Sequence, residues 1–149
     1  MERFNEATTG SLREHFNQWV HENWHQEQPR ARFPRSPRDQ FFIRVSQEAL
    51  DSVLSAPGIP DAKPWVKDAG FVDFIDAEWT AELDDVDSDT EDIDMPELDC
   101  EPTEGCREEN VGWMKVPAER MCTELFSMLD DPSVWDVLYK RPPERANWA

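Results

Sequence analysis

The sequence predicts a two-layer α+β domain of β-α-β-β-α-β order, with an extra helix in front and an acidic insertion in the middle. Three observations predict it. Aromatic and β-branched runs at residues 41–45, 71–76 and 111–116 read as strands, bounded by Pro, Gly, Asn or Asp. Amphipathic stripes at helical spacing precede or follow them. Finally, two segments match without a gap: Phe42-Ile43-Arg44-Val45-Ser46-Gln47-Glu48 aligns with Trp113-Met114-Lys115-Val116-Pro117-Ala118-Glu119, 71 residues later, and Leu50 and Leu54 then meet Met121 and Leu125.

Taken in order, residues 8–28 read as the first helix. Ser11 and Glu14 form an S-x-x-E capping box, and Leu12, Phe16, Trp19, Val20 and Trp24 make its apolar stripe. Pro29 stops it. Residues 29–40 read as a loop, because their prolines oppose regular structure. Its arginines (Arg30, Arg32, Arg35 and Arg38) are the chain's one basic patch, either a solvated connector or a dock for the acidic run. Ser36-Pro37-Arg38 is a short phosphate-acceptor match. The strand at 41–45 leads to Ser46, a cap for a helix with Ala49, Leu50, Val53 and Leu54 on one face, ended by Pro57-Gly58.

A proline-punctuated loop through Trp65 returns to the strand at 71–76. The run 82–104 then holds twelve Asp or Glu in 23 residues and not one Lys or Arg. Such a density of like charge cannot bury enough surface to offset the entropy of ordering, so disorder is expected. The strand at 111–116 resumes the fold. Pro117 suits the first position of a helix carrying Ala118, Met121, Cys122, Leu125 and Leu129. Residues 134–139 read as a fourth strand, with a short helix from Pro132 as the alternative, and 140–149 as a tail.

One domain over 1–149 is therefore expected: a helix at 8–28, a first β-α-β unit at 41–76, a disordered acidic insertion at 82–110 and a second unit at 111–139. The order is that of the split βαβ, or ferredoxin-like, arrangement. Right-handed crossovers would lay both helices on one face of a four-stranded antiparallel sheet. The N-terminal helix would cover an edge or the open face.

Composition narrows the function. The formal charge of −18 opposes direct contact with nucleic acid or anionic lipid, since either needs net positive groups. No run of apolar residues is long enough to span a bilayer. Cys100, Cys106 and Cys122 form an odd set without a C-x-x-C pair, which suits a reducing compartment. With a charged, signal-free start, the cytoplasm or nucleus is the expected location.

Few motifs carry chemistry. There is no G-x-S-x-G and no phosphate-cradling glycine loop. His21-Glu22-Asn23-Trp24-His25 fits H-E-x-x-H and resembles the zincin metallopeptidases over those five residues. That resemblance implies a zinc held by His21 and His25, with Glu22 activating water. Phe41-Phe42-Ile43 and Gly112-Trp113-Met114-Lys115-Val116 partly resemble the strands of RNA-recognition modules, in which exposed aromatics such as Phe42 and Trp113 stack on bases. The principal expectation lies elsewhere: a non-catalytic, cofactor-free accessory or regulatory protein that binds a basic protein partner. Asp84, Asp85, Asp87, Asp89, Glu91, Asp92 and Asp94 would supply steering charge, and Phe71, Phe74 and Trp79 the apolar anchors. Ser88 offers a site at which phosphate could add to that charge.

Overall fold

A computed structural model describes residues 7–30, 36–56, 70–81 and 100–146 of the chain. Among these the fold is mixed α+β: α1 (Thr9–Glu27), α2 (Pro37–Gln40), β1 (Phe41–Arg44), α3 (Gln47–Leu54), β2 (Phe71–Asp76), β3 (Trp113–Pro117), α4 (Thr123–Met128) and α5 (Pro132–Leu138). The strands form one antiparallel sheet in the order β1-β2-β3. None of the described helices is long and apolar enough to cross a membrane.

The matched segments of the sequence find a physical counterpart here. Each sits on a strand flanking β2, and the pairs form continuous rungs: Phe42–Ile75–Trp113, Ile43–Phe74–Met114 and Arg44–Asp73–Lys115. The alternation of side chains along a strand then assigns two faces. One face presents Phe41, Phe74, Met114 and Val116, which pack under Leu125 and Leu129 at α4 and Trp135 and Leu138 of α5. Phe41, Phe74 and Trp135 stack there, with Phe41 5.3 Å from each of the other two rings. The other face carries Phe42, Ile75 and Trp113, clustered with Val111 and Cys106. It meets α1, whose Phe16 stacks on Phe42 at 4.8 Å.

The four-stranded β-α-β-β-α-β arrangement is not formed by the described residues. β1 and β2 are adjacent and antiparallel, so the connection through α3 is not a βαβ crossover, which joins parallel strands. Residues expected as the fourth strand belong instead to α5. Asp131 caps it, its carboxylate accepting from the Ser133 N–H at 3.0 Å, and Pro132 opens it. Val134, Trp135 and Leu138 then turn inward, while Val137 stays 79% exposed, a pattern of period 3.6 rather than 2. The tail extends the Arg44–Asp73–Lys115 rung by one position, where Arg145 bridges Lys115 and the Ala146 N–H donates to the Lys115 carbonyl at 2.8 Å.

Other boundaries shift for local reasons. Thr8, not Ser11, caps α1, its hydroxyl accepting from the Ser11 N–H at 3.2 Å. The end of the expected loop at 29–40 is helical, since Ser36 and Asp39 build a reciprocal capping box around α2. Pro117 ends β3 opposite Phe71 rather than starting a helix. A 3-10 turn at Ala118–Arg120 follows, and Cys122 is exposed at the cap of α4. On α3, Ser46 caps as expected, its hydroxyl accepting from the Ala49 N–H at 3.3 Å. Yet only Ala49 of the predicted stripe is buried, while Leu50, Val53 and Leu54 are exposed. Of the insertion expected at 82–110, residues 82–99 lie outside the described residues. Residues 100–110 belong to the folded body, beginning with a turn closed by Thr103 and Cys106.

Candidate functional site

The α1-side face of the sheet holds the densest polar constellation among the described residues. Asp73 is 2% exposed at the centre of the sheet, flanked on its rung by Arg44 and Lys115. A buried carboxylate needs paired charge, and Arg44 Nε supplies it at 3.1 Å. The same guanidinium donates to Thr9 Oγ1 at 2.7 Å and to Glu104 Oε1 at 3.0 Å, and lies 5.1 Å from the centre of the Trp113 ring. Lys115, also buried, meets Glu48 Oε1 at 2.6 Å and sits 4.5 Å over Phe71. These contacts tie α1, α3, all three strands and the 100–106 turn together. They contain no nucleophile with a base beside it.

Arginines also fix both ends of the acidic segment. At its start, Arg13 stacks on Trp79 at 4.5 Å and donates to the carbonyls of Asp76, Val111 and Gly112 at 2.8, 3.1 and 2.9 Å. Gly112 has φ +70°, and a Cβ there would stand 2.3 Å from the Trp79 ring and 2.4 Å from Arg13. Only glycine permits this approach. Burial lowers the pKa of Arg13, opposed by the nearby Asp76 and Glu104 carboxylates. Burial likewise raises that of Asp76, although the Glu78 N–H, Gln40 and Arg13 pull the other way. At the far end, Arg141 donates to the carbonyls of Glu101 at 2.8 Å, Cys106 at 3.1 Å and Glu108. The two ends line a common cleft of about 570 Å³ with the first turn of α1, Arg13 and Trp113. A second cleft, of about 460 Å³, lies where Cys100–Thr103 face Lys115, Arg141 and the Pro142-Pro143 turn.

The predicted site residues fare unequally. Asp84, Asp85, Asp87, Asp89, Glu91, Asp92 and Asp94 lie outside the described residues, as do Arg32 and Arg35. Phe71 and Phe74, expected as anchors for a partner, are instead 2% and 0% exposed; both are held within the sheet's packing and offer a partner no surface. Trp79 is half-buried against Arg13. His21, Glu22 and His25 are exposed on α1; Glu22 accepts from Gln18 at 3.0 Å and the His25 ring lies 3.6 Å from that of Trp24. Among the described residues, no three of His, Cys, Asp and Glu are grouped to hold a metal ion. Phe42 and Trp113 do not offer the open face that stacking on bases requires, since Phe16 covers the first and Arg44 the second.

The reading of motifs missed Arg13, Asp73 and Arg141. Asp73 did leave a signal, an acid in the middle of a largely apolar strand, opposite the basic position of both matched segments. Arg13 left none, because its hydrogen bonds go to backbone carbonyls, which no residue type marks in a sequence. Comparison with protein-family models, curated proteins and solved structures finds no match to the chain.

Proposed function

We propose that the protein is a non-catalytic interaction factor that captures a basic protein partner through its acidic segment. One observation carries this reading: the charge of −18 is concentrated in a run with twelve acids and no cation, while Arg13, Arg44, Lys115 and Arg141 are all engaged internally. What the run offers a partner is therefore negative. Exposed charge of this kind raises association rate and makes binding salt-dependent, whereas apolar contacts govern dissociation. Because the Glu104 carboxylate is paired with Arg44, the steering charge in this reading comes from the acids that precede it in the run.

The test is co-purification from the native source over a salt series. A variant with Asp84, Asp85, Asp87, Asp89, Glu91, Asp92 and Asp94 as amides is run beside the parent. The parent is expected to retain a basic protein at low salt and release it as salt rises. The variant should hold it weakly, with a flattened salt dependence and unchanged folding. Equal retention at every salt concentration defeats the reading.

A further inference from the structure

The three histidines of the chain all lie on α1, and two of them, His21 and His25, fall four positions apart. On a helix that spacing places their Cβ atoms on one face, about 5–6 Å from each other. Both residues are exposed, and among the described residues no hydrogen bond engages either imidazole. His15 stands six positions before His21, which turns it to another side of the helix. The packing side of α1 is taken by Val20 and Trp24, so the histidine pair is turned to water. Its surroundings favour a cation. The pair occupies the last two turns of α1, where the helix dipole ends negative, and residues 14–29 include no Lys or Arg. The net charge of −18 adds to that attraction. The His25 ring also lies 3.6 Å from that of the buried Trp24, a contact that narrows its choice of rotamers before any ion arrives.

Neutral imidazole suits divalent transition-metal ions such as Cu²⁺, Ni²⁺ and Zn²⁺, whereas Mg²⁺ and Ca²⁺ take oxygen ligands. We infer that His21 and His25 form a two-point clip for such a transition-metal ion on the surface of α1. Among the described residues no third His, Cys, Asp or Glu is grouped with them, so water fills the remaining coordination positions. Glu22, between the two, is engaged by Gln18 at 3.0 Å. An ion held in this way bridges successive turns, so it binds the folded helix in preference to the unfolded chain and stabilises it by mass action. The clip gives α1 a metal-responsive stability with no catalytic role, and it is independent of the proposed function.

The experiment titrates NiCl2 into the full, untagged chain, with Mg²⁺ in excess to occupy the carboxylates, and reads tryptophan fluorescence and melting temperature. Ni²⁺ at His25 should quench Trp24, whose ring that imidazole touches. The parent should bind a single ion in this way and melt higher with it. His21→Gln and His25→Gln should each weaken binding by about tenfold or more, because one imidazole no longer holds the ion at high effective concentration beside the other. Each should also abolish the rise in melting temperature, while melting with the parent in metal-free buffer. His15→Gln should keep the parental affinity. An absence of quenching in the parent overturns the clip. Parental affinity in His21→Gln or His25→Gln overturns it too, by placing the ion elsewhere, as on the cysteines. Equal weakening by His15→Gln does the same, since that ring is off the shared face. Quenching without a rise in melting temperature also overturns it, because an ion that bridges two turns must favour the helix.

Discussion

Asp73 illustrates how one side chain can matter more than any predicted motif. Its carboxylate is the buried partner of Arg44 Nε, so Asp73→Ala leaves the guanidinium only its more exposed carboxylate, Glu104, and Lys115 only Glu48. Breaking such a buried pair costs about 3–5 kcal/mol, and urea unfolding should read a loss of that order. Glu48→Ala removes a carboxylate that is itself 69% exposed but leaves the buried Lys115 ammonium without it, so it should cost more than the roughly 1 kcal/mol of a fully exposed pair. Asp76 makes a prediction in pH. Its folded-state pKa is raised by burial above the ordinary 3.8, so the folded chain holds this proton more tightly than the unfolded chain. Stability therefore falls as pH climbs from the unfolded value through the folded one. In Asp76→Asn the amide oxygen can still accept from the Glu78 N–H, at 2.9 Å in the parent. The variant should melt higher than the parent at pH 7 and lose that advantage near pH 3.

At the scale of the element, α5 separates what the sequence reveals from what it conceals. Six residues, apolar but for Asp136, have no decisive period, and the choice of helix was settled by the Asp131 cap, the opening proline and the rings waiting above the sheet. Trp135→Ala should cost about 3–5 kcal/mol, the range for removing a core aromatic. Trp135→Phe should cost far less, since the indole N–H has no partner among the described residues and its loss offsets part of the lost volume. Val137→Ser, on the solvent side, should change stability by no more than about 0.5 kcal/mol; in a strand, Trp135 and Val137 would share a face and both would matter. β2 was legible over Phe71–Asp76, with its start marked by Gly70 and its end left open toward Ala81, and β1 was nearly so. α3 was legible as a helix but not in its facing. Periodicity identifies a stripe without saying which side the sheet will take, and Ala49 with Ser52 won through close approach and the bond to Phe71. The polar rung was half legible, through the matched Arg44 and Lys115. Strand order was not, because it depends on contacts between segments far apart in the chain.

For the molecule as a whole, charge is the dominant fact. With a net −18, folding gathers like charges, and added salt should raise the melting temperature by screening them. Amides at the seven acids between 84 and 94 should produce a rise of the same kind at low salt, on the order of a few degrees, with a smaller further response to salt. The shift is read by calorimetry between about 20 and 300 mM salt. The sheet also depends on distant pieces: β2 cannot complete its pairing without β3, and the far edge of β3 waits for Arg145.

Arg13 carries this dependence furthest. Its three carbonyl acceptors lie 63, 98 and 99 residues downstream, so during synthesis α1 leaves the ribosome long before they exist. Phe42, on which Phe16 stacks, is made early, but until Val111 and Gly112 emerge Arg13 lacks two of its three acceptors. Slower translation should therefore lengthen the interval in which α1 is made but not yet fastened to the sheet.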